Sequence, residues 1–260
     1  MIIFQKIQSF EKNVKIFRKN RFSTKLQQIQ NRFEVIREGD LVLDVGCHPG
    51  GWTQIAVETT GSEGLVIGVD LLASAPIDGA HLLTGDIKNP DTQDRIAELL
   101  NEGECVNGEH LPIPSGKGRR LFNSIVSDIS PSLTGQYDRD QAISLELVAM
   151  VFDFTLPLLA PGGSFVTKIF QGTGIEGIVN AAKKRFSRVQ RFSPDASRNS
   201  SSEVYLICRN KLPIPKPDAR KTSVSEELDG HLTAEGIIQR ESESEADTVV
   251  TEFRVVKKRE

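Results

Sequence analysis

Cysteine is scarce in this chain of 260 residues, which carries only Cys47, Cys105 and Cys208. An odd number of cysteines without CxxC spacing argues against a disulfide framework and against a zinc site. We see no other ligand set for a metal and expect none. Unpaired cysteines are typical of a reducing compartment, so we expect a cytoplasmic protein.

Long apolar runs are also missing. None approaches the roughly 18 residues that a membrane span needs, and the basic N-terminus lacks the small-residue cleavage pattern of a secretory signal. The composition, 38% hydrophobic and 26% charged, is that of a soluble globular protein. We therefore expect a monomer with no membrane partner, built as one domain with an appendage.

Charge is distributed unevenly although the formal net charge is only −3. Residues 1–38 carry nine Lys and Arg against three acids, residues 39–182 carry seven against nineteen, and residues 183–211 carry eight against two. If the fold brings the two basic segments together, they form a positive face suited to a polyanion. The alternative is that these cations are simply solvated helix residues.

Short apolar runs alternate with stretches of helical spacing. The runs that predict buried strands are Leu41–Val45, Leu65–Val69, Ile125–Ser127, Gly163–Phe170 and Val204–Cys208. Helical spacing is found between them at 91–102, 139–159 and 175–186. This alternation predicts an α/β fold with a mostly parallel sheet and helices on both faces.

The chain divides into three parts by composition. Residues 1–38 form a basic N-terminal arm with helices, and 39–210 form the α/β domain. Within that domain, residues 103–120 are rich in Gly and Pro and predict a loop. From 211 to 260 a proline-bearing linker leads into a charged, serine-rich tail that we expect to be flexible.

The stretch VLDVGCHPGGWTQ at 42–54 joins the first predicted strand to a glycine-rich turn. Gly46 and Gly50 let a ligand approach the main chain, and such a turn lies where doubly wound sheets bind ligands. The spacing is not GxGxxG, so a dinucleotide site is poorly supported. Trp52 could stack on a base, but the turn favours a packing anchor beneath the ligand.

Two acids follow the next predicted strand regions. Asp70 is placed to accept hydrogen bonds from both hydroxyls of an adenosine ribose, and Asp86 is placed to reach the adenine. Either acid alone is also typical of a capping residue. In order after the glycine turn, they indicate an adenosyl cofactor without phosphate, which is S-adenosylmethionine rather than NAD.

These stretches resemble the FtsJ-like family of ribose 2′-O-methyltransferases, whose known members act on ribosomal RNA. The matching segments are RFSTKLQQI, LDVGCHPGGWTQ, IGVDLL, GDI, VSDISPSLTG, LLAPGGSFVTKIFQG and SRNSSSEVYLICR, in family order over about 25–209. The chain departs from the family at Cys47 and His48, in the longer 103–120 loop, and in the arm. The resemblance implies a Rossmann-like methyltransferase fold of about seven strands.

The resemblance also implies the site residues. The family's catalytic Lys-Asp-Lys-Glu tetrad corresponds to Lys25, Asp128, Lys168 and Glu203. In the implied mechanism Lys168 activates or steers the ribose 2′-oxygen, Asp128 fixes Lys168, and Lys25 and Glu203 orient the ribose. The implied cofactor residues are Gly46, Pro49, Gly50, Trp52, Asp70, Asp86 and Asp128. A lysine acting as a base would need a lowered pKa, so whether Lys168 removes the proton is left open.

The expected reaction is 2′-O-methylation of a ribose in large-subunit ribosomal RNA, and we expect this ribose to belong to a uridine. The basic arm at 12–21 and the segment 183–192 are expected to contact RNA phosphates, with no DNA partner. Asp-Ile-Ser-Pro at 128–131 argues against a base amino-methyltransferase, because no aromatic residue follows until Tyr137. A methyltransferase acting on transfer RNA or a messenger cap, and a noncatalytic ribosome-assembly factor, are the alternatives.

Overall fold

A seven-stranded sheet forms the centre of the computed structural model, which describes residues 21–101, 105–106, 109–110, 120–131, 134–195 and 203–237. Its strands are β1 (Leu41–Val45), β2 (Leu65–Asp70), β3 (Ala80–Thr84), β6 (Phe122–Ser127), β7 (Leu159–Phe170), β8 (Phe186–Phe192) and β9 (Glu203–Lys211). The strand order is β3-β2-β1-β6-β7-β9-β8. The first five strands in this order are parallel, and β9 runs antiparallel between β7 and β8.

Helices cover both faces of this sheet. Helices α1 (Arg21–Phe33) and α2 (Gly51–Thr60) pack on one face, where Val42, Val126 and Val166 belong to their apolar cluster. The other face packs against α3 (Pro90–Asn101), α4 (Tyr137–Thr155), α5 (Ile175–Lys183) and α6 (Val224–Ala234), and Leu43, Ile125 and Phe165 lie in that core. The α/β fold expected from the alternating pattern is confirmed, and the sheet has the seven strands that the resemblance implied.

Helix α4 and the 3-10 turn after it, Leu156–Leu158, are long and apolar enough to cross a membrane by length and composition alone. The segment reaches a mean hydropathy of 1.4, although charged residues interrupt its apolar runs. Its apolar window is 56% buried inside the protein. Val148, Val151 and Phe152 pack in the core, so the segment has the contacts of an interior helix.

Several elements differ from the sequence expectations. Strand β7 begins at Leu159 rather than at 163, and β8 was not expected, because its exposed Arg188 and Arg191 interrupt the apolar pattern. Within the 103–120 loop, Cys105–Val106 (β4) and Glu109–His110 (β5) pair as a short antiparallel ladder. The rest of that loop and the arm before Arg21 lie outside the described residues.

The segment after β9 contains a docked helix where the sequence predicted a linker and tail. Ser223 caps α6 in a capping box with Glu226, and Asp153 of α4 accepts hydrogen bonds from the N–H groups of Val224 and Ser225. Val224 and Leu228 are fully buried in the main core. Residues 238–260 lie outside the described part of the chain.

Candidate active site

A pocket of about 550 Å³ opens at the carboxyl ends of β1, β2 and β6. The strand order reverses beside β1, and open α/β sheets bind their ligands at such a point. Apolar side chains form much of the wall, and polar residues converge on it from four strand ends. The lining residues include Gly46, Asp70, Leu72, Asp86, Ile87, Asp128, Ile129, Ile143, Leu147 and Lys168.

The glycine turn approaches this pocket through its backbone. Gly46 has a φ of +81°, and a Cβ there would lie 2.8 Å from the Cα of Ile129. The N–H of Gly46 donates to the carbonyl of Val69 at 2.8 Å, which ties the turn to β2. A side chain at position 46 would therefore push the two strand ends apart.

The remaining turn residues that the resemblance implied do not line the pocket. Gly50 precedes α2 with a φ of +107° and lies against Ile77. Trp52 is 3% exposed and packs against Tyr205, with 5.5 Å between ring centroids. The structure thus places Trp52 in the core between α1, α2 and the sheet. The cofactor roles of Pro49, Gly50 and Trp52 stay predictions.

The two acids lie at the pocket with defined backbone partners. Asp70 accepts hydrogen bonds from the N–H groups of His48 and Leu72, both at 2.9 Å, one on each carboxylate oxygen. Asp86 accepts from the N–H of Lys88 at 2.9 Å. These bonds fix both carboxylates, and each oxygen keeps a lone pair for a ligand hydroxyl or amine.

Asp44 is a buried acid behind the pocket that sequence reasoning did not select. Its Oδ2 accepts a hydrogen bond from the hydroxyl of Thr53 at 2.6 Å, while Oδ1 has no partner among the described residues. Burial, with the nearby Asp128 and Asp70 charges, raises the pKa of Asp44 to about 7. The signal was an acid inside an apolar strand, two residues before Gly46 of the glycine turn.

The four tetrad residues form two ion pairs. The ammonium of Lys168 lies 3.2 Å from Oδ1 of Asp128 and donates to the Asp128 carbonyl at 2.8 Å. The ammonium of Lys25 donates to Glu203 at 2.9 Å. Lys25 and Lys168 are only 4% and 7% exposed. A buried ammonium is stable only when paired in this way.

Tyr205 connects the two pairs and was missed by sequence reasoning. It is opposite Lys168 in the β7–β9 ladder, and its hydroxyl donates to Asp128 Oδ1 at 2.8 Å. The Lys25 ammonium lies 5.7 Å from the centre of its ring. Burial and the Asp128 charge raise the pKa of Tyr205, which keeps the hydroxyl a donor. A lone Tyr within an apolar strand was the available signal.

No group of three or more His, Cys, Asp or Glu able to hold a metal occurs within the ranges described above. Burial raises the pKa of the Cys47 thiol to about 12, so it stays protonated. The site offers hydrogen-bond donors, carboxylates and ammonium groups beside the pocket of about 550 Å³.

The chain is similar in sequence to known methyltransferases. Residues 18–211 match the family model of the FtsJ-like methyltransferases. The chain is 35% identical over 197 residues to ribosomal RNA large subunit methyltransferase E of Natronomonas pharaonis, covering 76% of this chain and 71% of that one. It is 36% identical over 193 residues to the protein of the same name from Methanocaldococcus jannaschii, covering 74% and 73%.

One solved structure shows the same fold. A Plasmodium falciparum protein described as a ribosomal RNA methyltransferase aligns with a TM-score of 0.62 at 23% identity. The alignment covers 75% of this chain and 98% of that one.

Proposed function

Because this chain belongs to the FtsJ-like methyltransferase family, we propose that it methylates the 2′-oxygen of a ribose, a uridine's, in large-subunit ribosomal RNA. The relatives named for large-subunit ribosomal RNA support the substrate. The methyl donor is S-adenosylmethionine. A cytoplasmic location and a monomeric state stay predictions.

The pocket fits the proposed donor by shape and chemistry. The close backbone approach at Gly46 provides a cradle that a side chain would fill. The fixed carboxylates of Asp70 and Asp86 suit the hydroxyls of a ribose and the amine of an adenine, and Leu72, Ile87 and other apolar residues suit the faces of the base. When bound, S-adenosylmethionine supplies an electrophilic methyl group.

The protein's own residues hold and orient the acceptor. Lys168 lines the pocket, and Asp128 at the end of β6 forms an ion pair with it. We infer that Lys168 would direct the ribose 2′-hydroxyl toward the methyl group and stabilise negative charge on its oxygen. The released hydroxyl proton would pass to solvent water as the methyl group is transferred. Holding both reactants in line can contribute several kcal/mol to lowering the barrier.

Lys25 and Glu203 form a second ion pair, with the Lys25 ammonium 5.7 Å from the centre of the Tyr205 ring. We infer that this second pair contacts the ribose and its neighbouring phosphate, because Glu203 is partly exposed while Lys25 is anchored by α1. The single observation that carries the proposal is the bonded arrangement in which Tyr205 joins a buried Lys-Asp pair at the pocket to a second Lys-Glu pair.

The test is transfer of labelled methyl from S-adenosylmethionine to large subunits, free ribosomal RNA and transfer RNA from an unmodified strain, followed by mapping of the modified nucleotide. We expect label on one ribose of large-subunit RNA. Lys168→Met keeps most of the side-chain volume and should lower turnover by at least 100-fold. Its cofactor affinity, measured by calorimetry, should be nearly unchanged.

Lys221→Met is the matched control, because Lys221 is an exposed lysine just before α6 and lies outside the segments expected to contact RNA. Normal turnover by Lys168→Met would contradict the assigned role of the tetrad. Label on transfer RNA alone would show that transfer RNA, and not large-subunit ribosomal RNA, is the substrate. Cofactor binding without label on any RNA would favour a noncatalytic assembly factor.

A further inference from the structure

Strand β8 and the residues just before it carry several cations, and the structure divides them into two groups. Lys184 pairs with Asp218 and Glu227 at 3.1 and 3.0 Å, and Arg185 pairs with Glu227 at 2.8 Å. Arg191 pairs with Glu176. Arg188, by contrast, is exposed and forms no ion pair with a described carboxylate. Most of this basic segment is therefore neutralised within the fold, and Arg188 is not.

Arg188 and Arg191 lie on opposite faces of the sheet. Arg188 is opposite Arg209 and Phe192 is opposite Tyr205, whereas Arg191 is opposite Leu206 of the main core. Side chains alternate between the faces of a strand. Arg188, Phe192 and Arg209 therefore lie on the face that α1 covers, and this is also the face from which Lys25 reaches Glu203.

A series of arginine and phenylalanine contacts runs along this face. Arg32 lies 5.2 Å from the centre of the Phe192 ring and 5.6 Å from that of Phe33. The two rings meet edge to face at 5.2 Å. Arg209 lies 5.4 Å from the Phe33 ring and donates to the Phe33 carbonyl at 3.1 Å. The rings hold both guanidinium groups in place without neutralising them.

This series ends at a second pocket, of about 340 Å³, at the amino ends of β1, β6 and β7. Arg37, Arg188 and Arg209 line it together with the backbone of Gly162 and Gly163. The Nε atom of Arg209 is buried there without a hydrogen-bond partner among the described residues. Glu34 and Asp40 also line the pocket, but an Asp40 oxygen already accepts from the N–H of Arg37 at 2.8 Å.

We propose that Arg32, Arg209, Arg188 and Arg37 form a track that holds the phosphates of the RNA strand on its way from the active site to the amino-end pocket. The inference rests on the proposed function for the identity of the strand as substrate RNA. Arg32, Arg188 and Arg209 have no carboxylate partner in the described chain, and aromatic rings hold two of them. Arg37, which interacts with the charge of Asp40, adds a fourth guanidinium group at the pocket. Such a group of cations suits a polyanion.

The length of the track supports this reading. Phe192 and Arg188 are four residues apart on β8, which corresponds to roughly 13 Å along a strand. Phe192 lies beside Tyr205, and Tyr205 contacts the catalytic Asp128. A strand whose ribose lies at Lys168 would thus reach Arg188 within a few nucleotides. Phosphate contacts of this kind position a strand without reading its sequence.

The experiment compares Arg188→Gln with Arg191→Gln, which removes the same charge from the opposite face of the same strand. Affinity for fluorescein-labelled oligouridine and oligoadenosine is measured by anisotropy between about 50 and 200 mM salt. For Arg188→Gln we expect roughly fivefold weaker binding at about 0.1 M salt and a salt slope smaller by about 0.7 to 1, the values for one lost phosphate contact. Arg191→Gln should leave the salt slope unchanged, and both RNAs should respond alike.

Methyl transfer is measured on the same variants, and Arg188→Gln should raise KM with kcat unchanged. Equal salt slopes for Arg188→Gln and Arg191→Gln would show that the track does not bind RNA phosphates. A change in kcat without a change in KM for Arg188→Gln would show the same. If the wild-type protein methylates RNA while the slopes are equal, only the track fails. If RNA binding depends on Arg188 but no RNA is methylated, the proposed function fails and the track stands as an RNA-binding surface.

Discussion

Tyr205 is the residue on which the two ion pairs of the site converge. Its hydroxyl and the Lys168 ammonium share one carboxylate oxygen of Asp128, at 2.8 and 3.2 Å. A hydrogen bond to a charged group stabilises by about 1.5–3 kcal/mol. The hydroxyl therefore contributes to holding Asp128, and through it Lys168, in one orientation.

Tyr205→Phe should lower the rate of methyl transfer about tenfold, which corresponds to about 1.4 kcal/mol in the barrier. The ring still packs against Trp52, so we expect a folded protein with unchanged cofactor affinity. Single-turnover methyl transfer measures the effect. Tyr137→Phe, which deletes a hydroxyl that donates to the Gln171 carbonyl and not to Asp128, is the control, and a wild-type rate for Tyr205→Phe would argue against a positioning role.

Asp44 makes the stability of the fold depend on pH. Its pKa of about 7 lies above its ordinary value of 3.8, so the folded protein keeps a proton that the unfolded chain releases. The folded state is therefore favoured at low pH, and this contribution is lost as pH rises from about 4 to about 7. The unpartnered Oδ1 is the natural position for that proton.

Asp44→Asn replaces the protonated carboxyl with a neutral group of the same shape and can keep the acceptor for Thr53. Relative to this variant, the free energy of unfolding of the wild type should fall by on the order of 1–4 kcal/mol between pH 4 and pH 7. Urea unfolding across this range measures the difference. Asp78→Asn, at an exposed position, is the control. If the difference in free energy of unfolding between the wild type and Asp44→Asn stays constant with pH, Asp44 is ionised throughout this range.

At the scale of elements, the antiparallel strand β9 decides the composition of the site. It lies between β7 and β8 and places Tyr205 opposite Lys168 and Glu203 opposite Phe170. Because β9 is antiparallel to β7, its first residues lie beside the carboxyl end of β7, where Lys168 is. If β9 were parallel to β7, its last residues would lie there instead. Helix α1 then brings Lys25 to Glu203 across a sequence separation of 178 residues.

Helix α6 extends the core beyond residues 18–211, the part of the chain that the family model matches. Leu228 packs close to Gly177 of α5, where a Cβ would lie 3.1 Å from its side chain. Leu232 packs in the same way on Gly174, in the loop after β7. Arg185 and Glu227 form a buried ion pair beneath the helix. The helix therefore supports the loop that follows the strand of Lys168.

A chain ending at Lys211 should be less stable than one ending at Ile237, because burying Val224 and Leu228 contributes roughly 3–6 kcal/mol. For a domain of this size the midpoint of thermal unfolding should fall by roughly 10 °C. Calorimetry of the full chain and both truncations measures this. The chain ending at Ile237 keeps α6 and is the control, so equal midpoints for the two truncations would show that α6 contributes little.

At the scale of the whole molecule, the fold sorts the charges that the sequence only separates along the chain. The sequence predicted a positive face on the condition that the fold brings the two basic segments together, and the structure brings α1 and β8 into contact. It also neutralises Lys184, Arg185 and Arg191 by pairing them with Glu176, Asp218 and Glu227. A count of basic residues therefore overstates the charge available to a polyanion.

The sequence by itself determined the fold class and, through its motifs, the family, because strand periodicity and motif order are local properties of the chain. The resemblance also named Lys25, Asp128, Lys168 and Glu203, whose catalytic role stays a prediction. Only the tertiary structure decided that Tyr205 lies between their two ion pairs, that Trp52 lies in the core, that α6 docks, and which arginines of the described residues form no ion pair. Each of these depends on contacts between residues distant in sequence, and a local pattern carries no information about which distant residue completes the contact.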